Sequence, residues 1–360
     1  MSRTPPPTEE ELIARLRRGE VSFPPLHLEW KESTVEEIDR IVSIGWQKQT
    51  VEFAVQCKRQ SNPKAIAEAA AEAQRRAETT KLQALVIAPF LDERALDTLE
   101  ACAVSGIDLC GNGVVIAPGK WFVRRTGAAN LFPAEGVIKN VYRNTSSVVA
   151  RLFLAAPEFD SVQDALSELT RRGGRVTLPT VSKVCKELAN DLVIERTRKG
   201  ATKLRLMQPE KLLDRLTANY SPPSVTKRVT GKLRGIDAAE FRKLLREWSE
   251  STENQIALTG ASSVGSYAVM ARERVEDYYC TDVTGALRVL GDRFEQTERF
   301  ATVNLLETRN DEVFFDRREA LVASPVQTLL ELASGDKRDQ ETADQVRRVV
   351  MSAVTRTAAK

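Results

Sequence analysis

The sequence predicts an α/β multidomain protein, with an N-terminal α/β domain, a central module of three helices and a hairpin, and a C-terminal α+β domain. Two observations lead to this. Strand-like and helix-like periodicities alternate through the first third of the chain, as layered α/β folds require. Basic residues then concentrate in the middle. Residues 139–234 carry 19 Lys/Arg against 9 Asp/Glu, whereas residues 1–138 carry 17 against 19 and residues 235–360 carry 17 against 22. At 360 residues and 42% hydrophobic content the chain can bury several cores.

Composition also narrows the chemistry. A single histidine, His27, and five scattered cysteines (Cys57, Cys102, Cys110, Cys185, Cys280) argue against a structural zinc site or a disulfide framework. No apolar run is long enough to span a membrane, and "MSRTPPPTEEELIARLRRGE" lacks the apolar core of a signal peptide. The expectation is a cytoplasmic protein with no membrane partner.

In chain order, residues 1–20 read as a Pro- and charge-rich arm leading into a short helix, and residues 21–125 as the first domain. There "DRIVSI" and "TVEFAVQCKR" read as two strands joined by a "GWQKQ" turn, with Asp39 opening the first. A helix "PKAIAEAAAEAQRRAETT", a strand "LQALVIAPF", a helix "DERALDTLEACAVSG" and a strand "IDLCGNGVVI" follow. A linker containing "TGAANLFPAEG" leads to the central module at 140–210. "ANYSPPSVTKRVTGKLRG" reads as a second connector, and residues 236–360, opening with the helix "DAAEFRKLLREWSE", as the last domain.

The central module is the most informative. "SSVVARLFLAAPEF" reads as one amphipathic helix. "SVQDALSELTRRGG" is a second, with Ser161 as N-cap and Gly173–Gly174 closing it. In "TLPTVSKVCKELANDL", Val181, Val184, Cys185, Leu188 and Leu192 form one buried stripe and leave Thr180, Ser182, Lys183, Lys186 and Asn190 on other faces. "VIERTRKGATKLRL" reads as a hairpin with Gly200 at its tip, decorated by Arg196, Arg198, Lys199, Lys203 and Arg205. The ordered set resembles a winged helix-turn-helix. That resemblance implies double-stranded DNA as partner: Thr180, Ser182, Lys183 and Lys186 of the third helix would face the major groove, and Arg196, Arg198, Lys199 and Lys203 would contact phosphates. The same module elsewhere serves protein contact.

In the first domain, Gln56 and Lys58 lie two apart on a strand and so share a face, which Asp39 on the neighbouring strand can reach. The constellation resembles the PD-(D/E)xK nuclease superfamily, and more closely Mrr-type restriction endonucleases, over roughly residues 20–125. The resemblance implies a catalytic set of Asp39, Gln56 and Lys58, in which Asp39 is the metal ligand, Gln56 the second ligand position and Lys58 the catalytic lysine, with Mg²⁺ as cofactor. Glu36 or Glu37 would add a carboxylate. The sequence departs from that pattern in having Ile38 before Asp39 and Gln in place of the acidic residue. A scaffold in which Lys58 and Arg59 bind phosphate or are merely solvated is the competing reading.

Over most of the chain, "GIDLCGNGVVI", the winged-helix segment, "IALTGASSVGSYAV" and above all "VFFDRREALVASPVQTLLELASGDKRDQETADQVRR" look like the AbiEi-family antitoxin-type regulators of type IV toxin–antitoxin systems. That resemblance implies a bacterial DNA-binding repressor, a nucleotidyltransferase-type toxin as partner, and a nucleotidyltransferase-like C-terminal domain. The Gly/Ser turn in "LTGASSVGSYAV" suits a phosphate, but Asp277, Asp282 and Asp316 do not make a carboxylate pair on one strand face, so a non-catalytic platform is expected. The function expected is a DNA-binding regulator rather than an enzyme. The alternative is a Mg²⁺-dependent endonuclease targeted by the winged helix.

Overall fold

A computed structural model describes residues 6–31, 41–132, 140–197, 203–269, 275–318 and 321–358. The chain is mixed α/β and divides into two compact units, residues 1–137 and 138–360. The first is built around one sheet and the second around two.

The first unit opens with α1 (Glu9–Arg17), fixed by a reciprocal capping box between Thr8 and Glu11. Strands β1 (His27–Lys31), β2 (Ile41–Trp46) and β3 (Gln49–Cys57) then run antiparallel. Helix α2 (Pro63–Thr80) crosses over to β4 (Gln83–Ala88), and α3 (Glu93–Ala101) to β5 (Ser105–Asp108). Strands β3, β4 and β5 are therefore parallel, as crossover connections require. Strands β6 (Gly113–Ala117) and β7 (Trp121–Arg125) return antiparallel, giving a seven-stranded sheet in sequential order.

Period-two alternation sorts the two faces of this sheet. Phe53, Val55, Cys57, Leu85 and Ile87 pack in one cluster with Leu12 and Leu16 of α1. Ala84, Val86 and Ala88 pack in another with Ile66, Ala69, Ala70 and Ala73 of α2 and Leu96 and Leu99 of α3. Three readings change in detail. The short helix that follows the N-terminal arm belongs to the first domain, because Leu12 and Leu16 are buried in the sheet's core. "IDLCGNGVVI" is not one strand but the hairpin of β5 and β6. Asp108 reverses the chain there by accepting the amides of Cys110, Gly111 and Asn112, and Gly111 takes φ +102°. The β2–β3 turn is also tighter than "GWQKQ": Trp46 pairs with Gln49, leaving only Gln47 and Lys48 outside the ladder.

The second unit begins with a 3-10 turn at Asn144–Ser146 and then α4 (Ser147–Ala155), β8 (Glu158–Phe159), α5 (Val162–Arg171), α6 (Leu178–Asn190), β9 (Ile194–Thr197), β10 (Lys203–Leu206) and α7 (Pro209–Asn219). The strands form a small antiparallel sheet in the order β8-β10-β9. Ser161 caps α5, and Gly173 at φ +82° ends it. On α6 the buried stripe is Val181, Val184, Cys185 and Leu188. Leu192 falls beyond the helix end with φ +58° and is exposed, so it is not part of the stripe.

A five-stranded sheet follows, built from β11 (Lys227–Leu233), α8 (Ala238–Ser251), β12 (Ile256–Leu258), α9 (Gly260–Ser263), β13 (Glu276–Cys280), α10 (Val283–Leu290), β14 (Phe294–Gln296) and β15 (Val303–Glu307), with strand order β12-β13-β15-β11-β14. The segment read as a connector thus supplies an interior strand. Its basic residues hid it, whereas Val229 and Gly231 turn inward. Gly231 is required there, since a Cβ would lie 2.4 Å from the Phe294 ring. Helices α11 (Pro325–Ala333) and α12 (Lys337–Ala358) close the chain, and Leu329, Leu330, Val346 and Val350 share one core with Val149, Leu152 and Phe153 of α4.

Leu12→Ala should lower the stability of the first unit by about 2–5 kcal/mol through the cavity it leaves. Urea unfolding followed by tryptophan fluorescence measures this, and an unchanged midpoint would detach α1 from the core.

Candidate nucleic-acid interface

α6 is preceded by its N-cap Thr177, whose hydroxyl lies 3.1 Å from that of Thr180, and carries Pro179 in its first turn. With its apolar stripe buried against α4 and α5, the opposite face presents Lys183 and Lys186, both exposed, with Asn190 beside them. Thr180 and Ser182 flank that face and are half-buried. No ion pair engages either lysine among the described residues.

The hairpin differs from its expected outward decoration. Arg196 shares the inward face of β9 with buried Ile194 and turns back to α6, where its Nη1 donates to the Ser182 carbonyl at 3.4 Å. Its Nε is buried with no hydrogen-bond partner. Lys203 points outward toward Asp160 at 3.6 Å, and Arg205 pairs with Glu158 at 2.7 Å, both acids belonging to or flanking β8. Arg198 and Lys199 lie outside the described residues.

In the first unit, Gln56 and Lys58 do share the face covered by α2. Gln56 is 4% exposed, its Nε2 donates to the Cys57 carbonyl at 3.3 Å, and its Oε1 has no partner. Lys58 continues the β3–β4 ladder by donating its backbone amide to Ile87, and its Nζ pairs with Glu72 of α2 at 3.1 Å. Glu72 was not anticipated, because its relation to Lys58 depends on how α2 lies on the sheet. Asp39, Glu36 and Glu37 fall outside the described residues. Among the described residues no group of three metal-ligating side chains converges. Near Lys58 the described donors are one amide oxygen, Gln56 Oε1, and the Glu72 carboxylate paired with the lysine.

In the second unit the Gly/Ser turn is already engaged. The Ala261 amide donates to the Glu331 carboxylate at 3.2 Å, so this carboxylate occupies the place where a phosphate would be cradled. A Cβ on Gly260 would lie 2.9 Å from Cδ of Glu331. The three aspartates serve separate purposes. Asp277 accepts from Asn304 at 2.6 Å. Asp282 lies beyond the strand end and caps α10 through the Gly285 amide. Asp316 accepts from Arg172 at 2.7 Å.

A further group emerges only in three dimensions. Arg151, alone among the apolar residues of α4, is 3% exposed and donates to Gln327 Oε1 at 2.7 Å and to the Glu312 carbonyl at 3.0 Å. Gln327 Nε2 donates onward to Glu331 at 2.7 Å and to the Tyr220 hydroxyl at 3.1 Å. Burial pushes the Glu331 carboxyl above its ordinary range, opposed by these hydrogen bonds and by Arg151. The one sequence signal was a charged residue inside "VVARLFLA".

A second tie leaves the end of α5. Glu168 accepts from Arg171 at 2.6 Å and from Arg172 at 2.7 Å, and Arg172 reaches on to Asp316. The hydrogen bond from Arg171 is the chief cause that holds Glu168 down to about 2, with Arg172 adding to it and burial opposing. A depressed carboxylate stabilises the fold above its unfolded pKa, and that contribution is lost as pH falls toward the folded value. Glu168→Gln should therefore cost about 1 kcal/mol at neutral pH and lose less stability than the parent between pH ~4.5 and ~2. Denaturant titrations across that range test it, and parallel curves would contradict it.

Comparison with protein-family models, with curated proteins and with solved structures finds no match to this chain.

Proposed function

We propose that the chain is a DNA-binding regulator that reads duplex DNA with α6 and the β9–β10 hairpin, in the manner of a winged helix. The order α4-β8-α5-α6-β9-β10, with β8 closing a three-stranded sheet, supports this. The observation that carries it is the outward face of α6. Lys183 and Lys186 stand exposed without acidic partners, on a helix whose other side is locked into the core. Unpaired cations on a supported helix are free to donate to base edges, while Lys203 and the neighbouring Arg198 and Lys199 would meet phosphates.

The antitoxin role proposed with it rests on the AbiEi resemblance of the C-terminal tail, which names a nucleotidyltransferase-type toxin as the protein partner. Filling of the Gly/Ser turn by Glu331 favours a contact platform over nucleotidyl transfer. For the first unit we favour the scaffold reading over the endonuclease, because Lys58 is drawn to Glu72 and Gln56 contributes no charge.

Lys183→Ala and Lys186→Ala should each cost about 1–3 kcal/mol on the preferred duplex and little on random DNA. Anisotropy titrations selected for the preferred site measure this, and equal losses on both duplexes would make the lysines phosphate contacts. Replacing Arg198, Lys199 and Lys203 by Ala should reduce the slope of log K against log salt by about 0.9 per lost contact. An unchanged slope would remove the hairpin from the interface. In a plasmid assay with Mg²⁺ or Mn²⁺ no metal-dependent nicking is expected, and nicking abolished by Lys58→Ala would establish the endonuclease instead.

A further inference from the structure

The end of α5, α8 and the segment following Phe314 enclose a cavity of about 590 Å³. Its lining includes Arg171, Arg172, Arg246, Arg317 and Arg318, against the acids Glu250 and Asp316. Asp316 is already committed to Arg172 at 2.7 Å and to Arg318 at 3.6 Å, and Arg171 is held by Glu168. No ion pair among the described residues neutralises Arg246 or Arg317. Arg317 is the more telling of the two. It is recessed, donates to the Ile256 carbonyl and lies 5.9 Å from the Phe314 ring centroid. Burial and the nearby Arg175 both push its pKa down, so its charge is desolvated and faces another cation. A recessed guanidinium without a counter-ion is costly, and an anion entering the cavity would relieve that cost.

We propose that this cavity binds a small anion bearing two or more phosphoryl groups, either a nucleoside polyphosphate or free polyphosphate. Planar guanidinium forks match phosphate oxygens bidentately, and the volume is that of an ordinary small-ligand site. Duplex DNA fits less well. Its backbone is a continuous convex polyanion that meets exposed side chains, whereas a terminal phosphoryl group reaches a recessed guanidinium. The arriving anion would compete with Asp316 for Arg172, the residue that joins α5 to the segment around Asp316.

The test is calorimetric titration of the full chain with metal-free inorganic tripolyphosphate and, separately, with ATP, using sodium sulfate at matched ionic strength as control. Saturable one-site binding of tripolyphosphate is expected. Arg246→Ala and Arg317→Gln should each weaken it about 10-fold, the scale of one lost charge-assisted hydrogen bond. Tighter binding of ATP would assign the site to a nucleotide, and equal binding to the polyphosphate alone. Arg246 is exposed, so its variant keeps the test valid should Arg317→Gln fail to fold. No saturable binding at millimolar concentration, or binding unchanged by Arg246→Ala, overturns the proposal. So does an outcome in which Arg246→Ala weakens only duplex DNA, which would give the cavity to the DNA interface. Lys183→Ala should leave the titration unchanged, so failure here and failure of the DNA-binding reading are distinguishable.

Discussion

The second unit depends on a guanidinium that is almost completely buried. Arg151 sits in α4, which touches α6, α7 and α12, and a charge at that depth is costly unless it is hydrogen-bonded. Arg151 Nη1 donates to Gln327 and to the Glu312 carbonyl, its Nε is buried without a partner, and Gln327 passes the network to Glu331 and Tyr220. The carboxylate at its far end also receives the first amides of α9. One chain of polar contacts thus fixes α4 against α11 and fills the turn that would otherwise be open to an anion. Such a network costs a great deal if any member is removed.

The charge asymmetry of the sequence is real, yet it does not map onto one surface. Arg151 lies inside the core, Arg172 joins Asp316, and Arg196 turns inward onto α6. Lys232 and Arg234 share Glu295, while Arg205 takes Glu158. These partners lie far along the chain or across a strand pair, so an excess counted over a segment overstates the excess at its surface. What remains outward on α6 is small and specific, and that is why Lys183 and Lys186 carry the functional reading.

In the first unit, alternation was a reliable guide to direction and a poor guide to partnership. Gln56 and Lys58 follow from period-two geometry. Glu72 lies fourteen residues beyond Lys58 and meets it only because α2 crosses back over the sheet. The helices, the α5 cap at Ser161 and most of the α6 stripe were equally legible, since each arises from contacts within a few residues of its own position.

Local sequence was enough for the alternating α/β pattern of the first unit, the three central helices with their hairpin, and the face on which most of the periodic residues lie, Leu192 and Arg196 excepted. Local sterics and hydrophobic periodicity suffice for these. That Lys227–Leu233 is an interior strand, and that α11 and α12 share a core with α4, follows only from long-range packing. The same packing brings Glu331 into the Gly/Ser turn and lines one cavity with five arginines. Those outcomes are set by contacts between residues tens to more than a hundred positions apart. No local periodicity encodes such a pairing, and a buried charge can be read as structural only when its partners are in place.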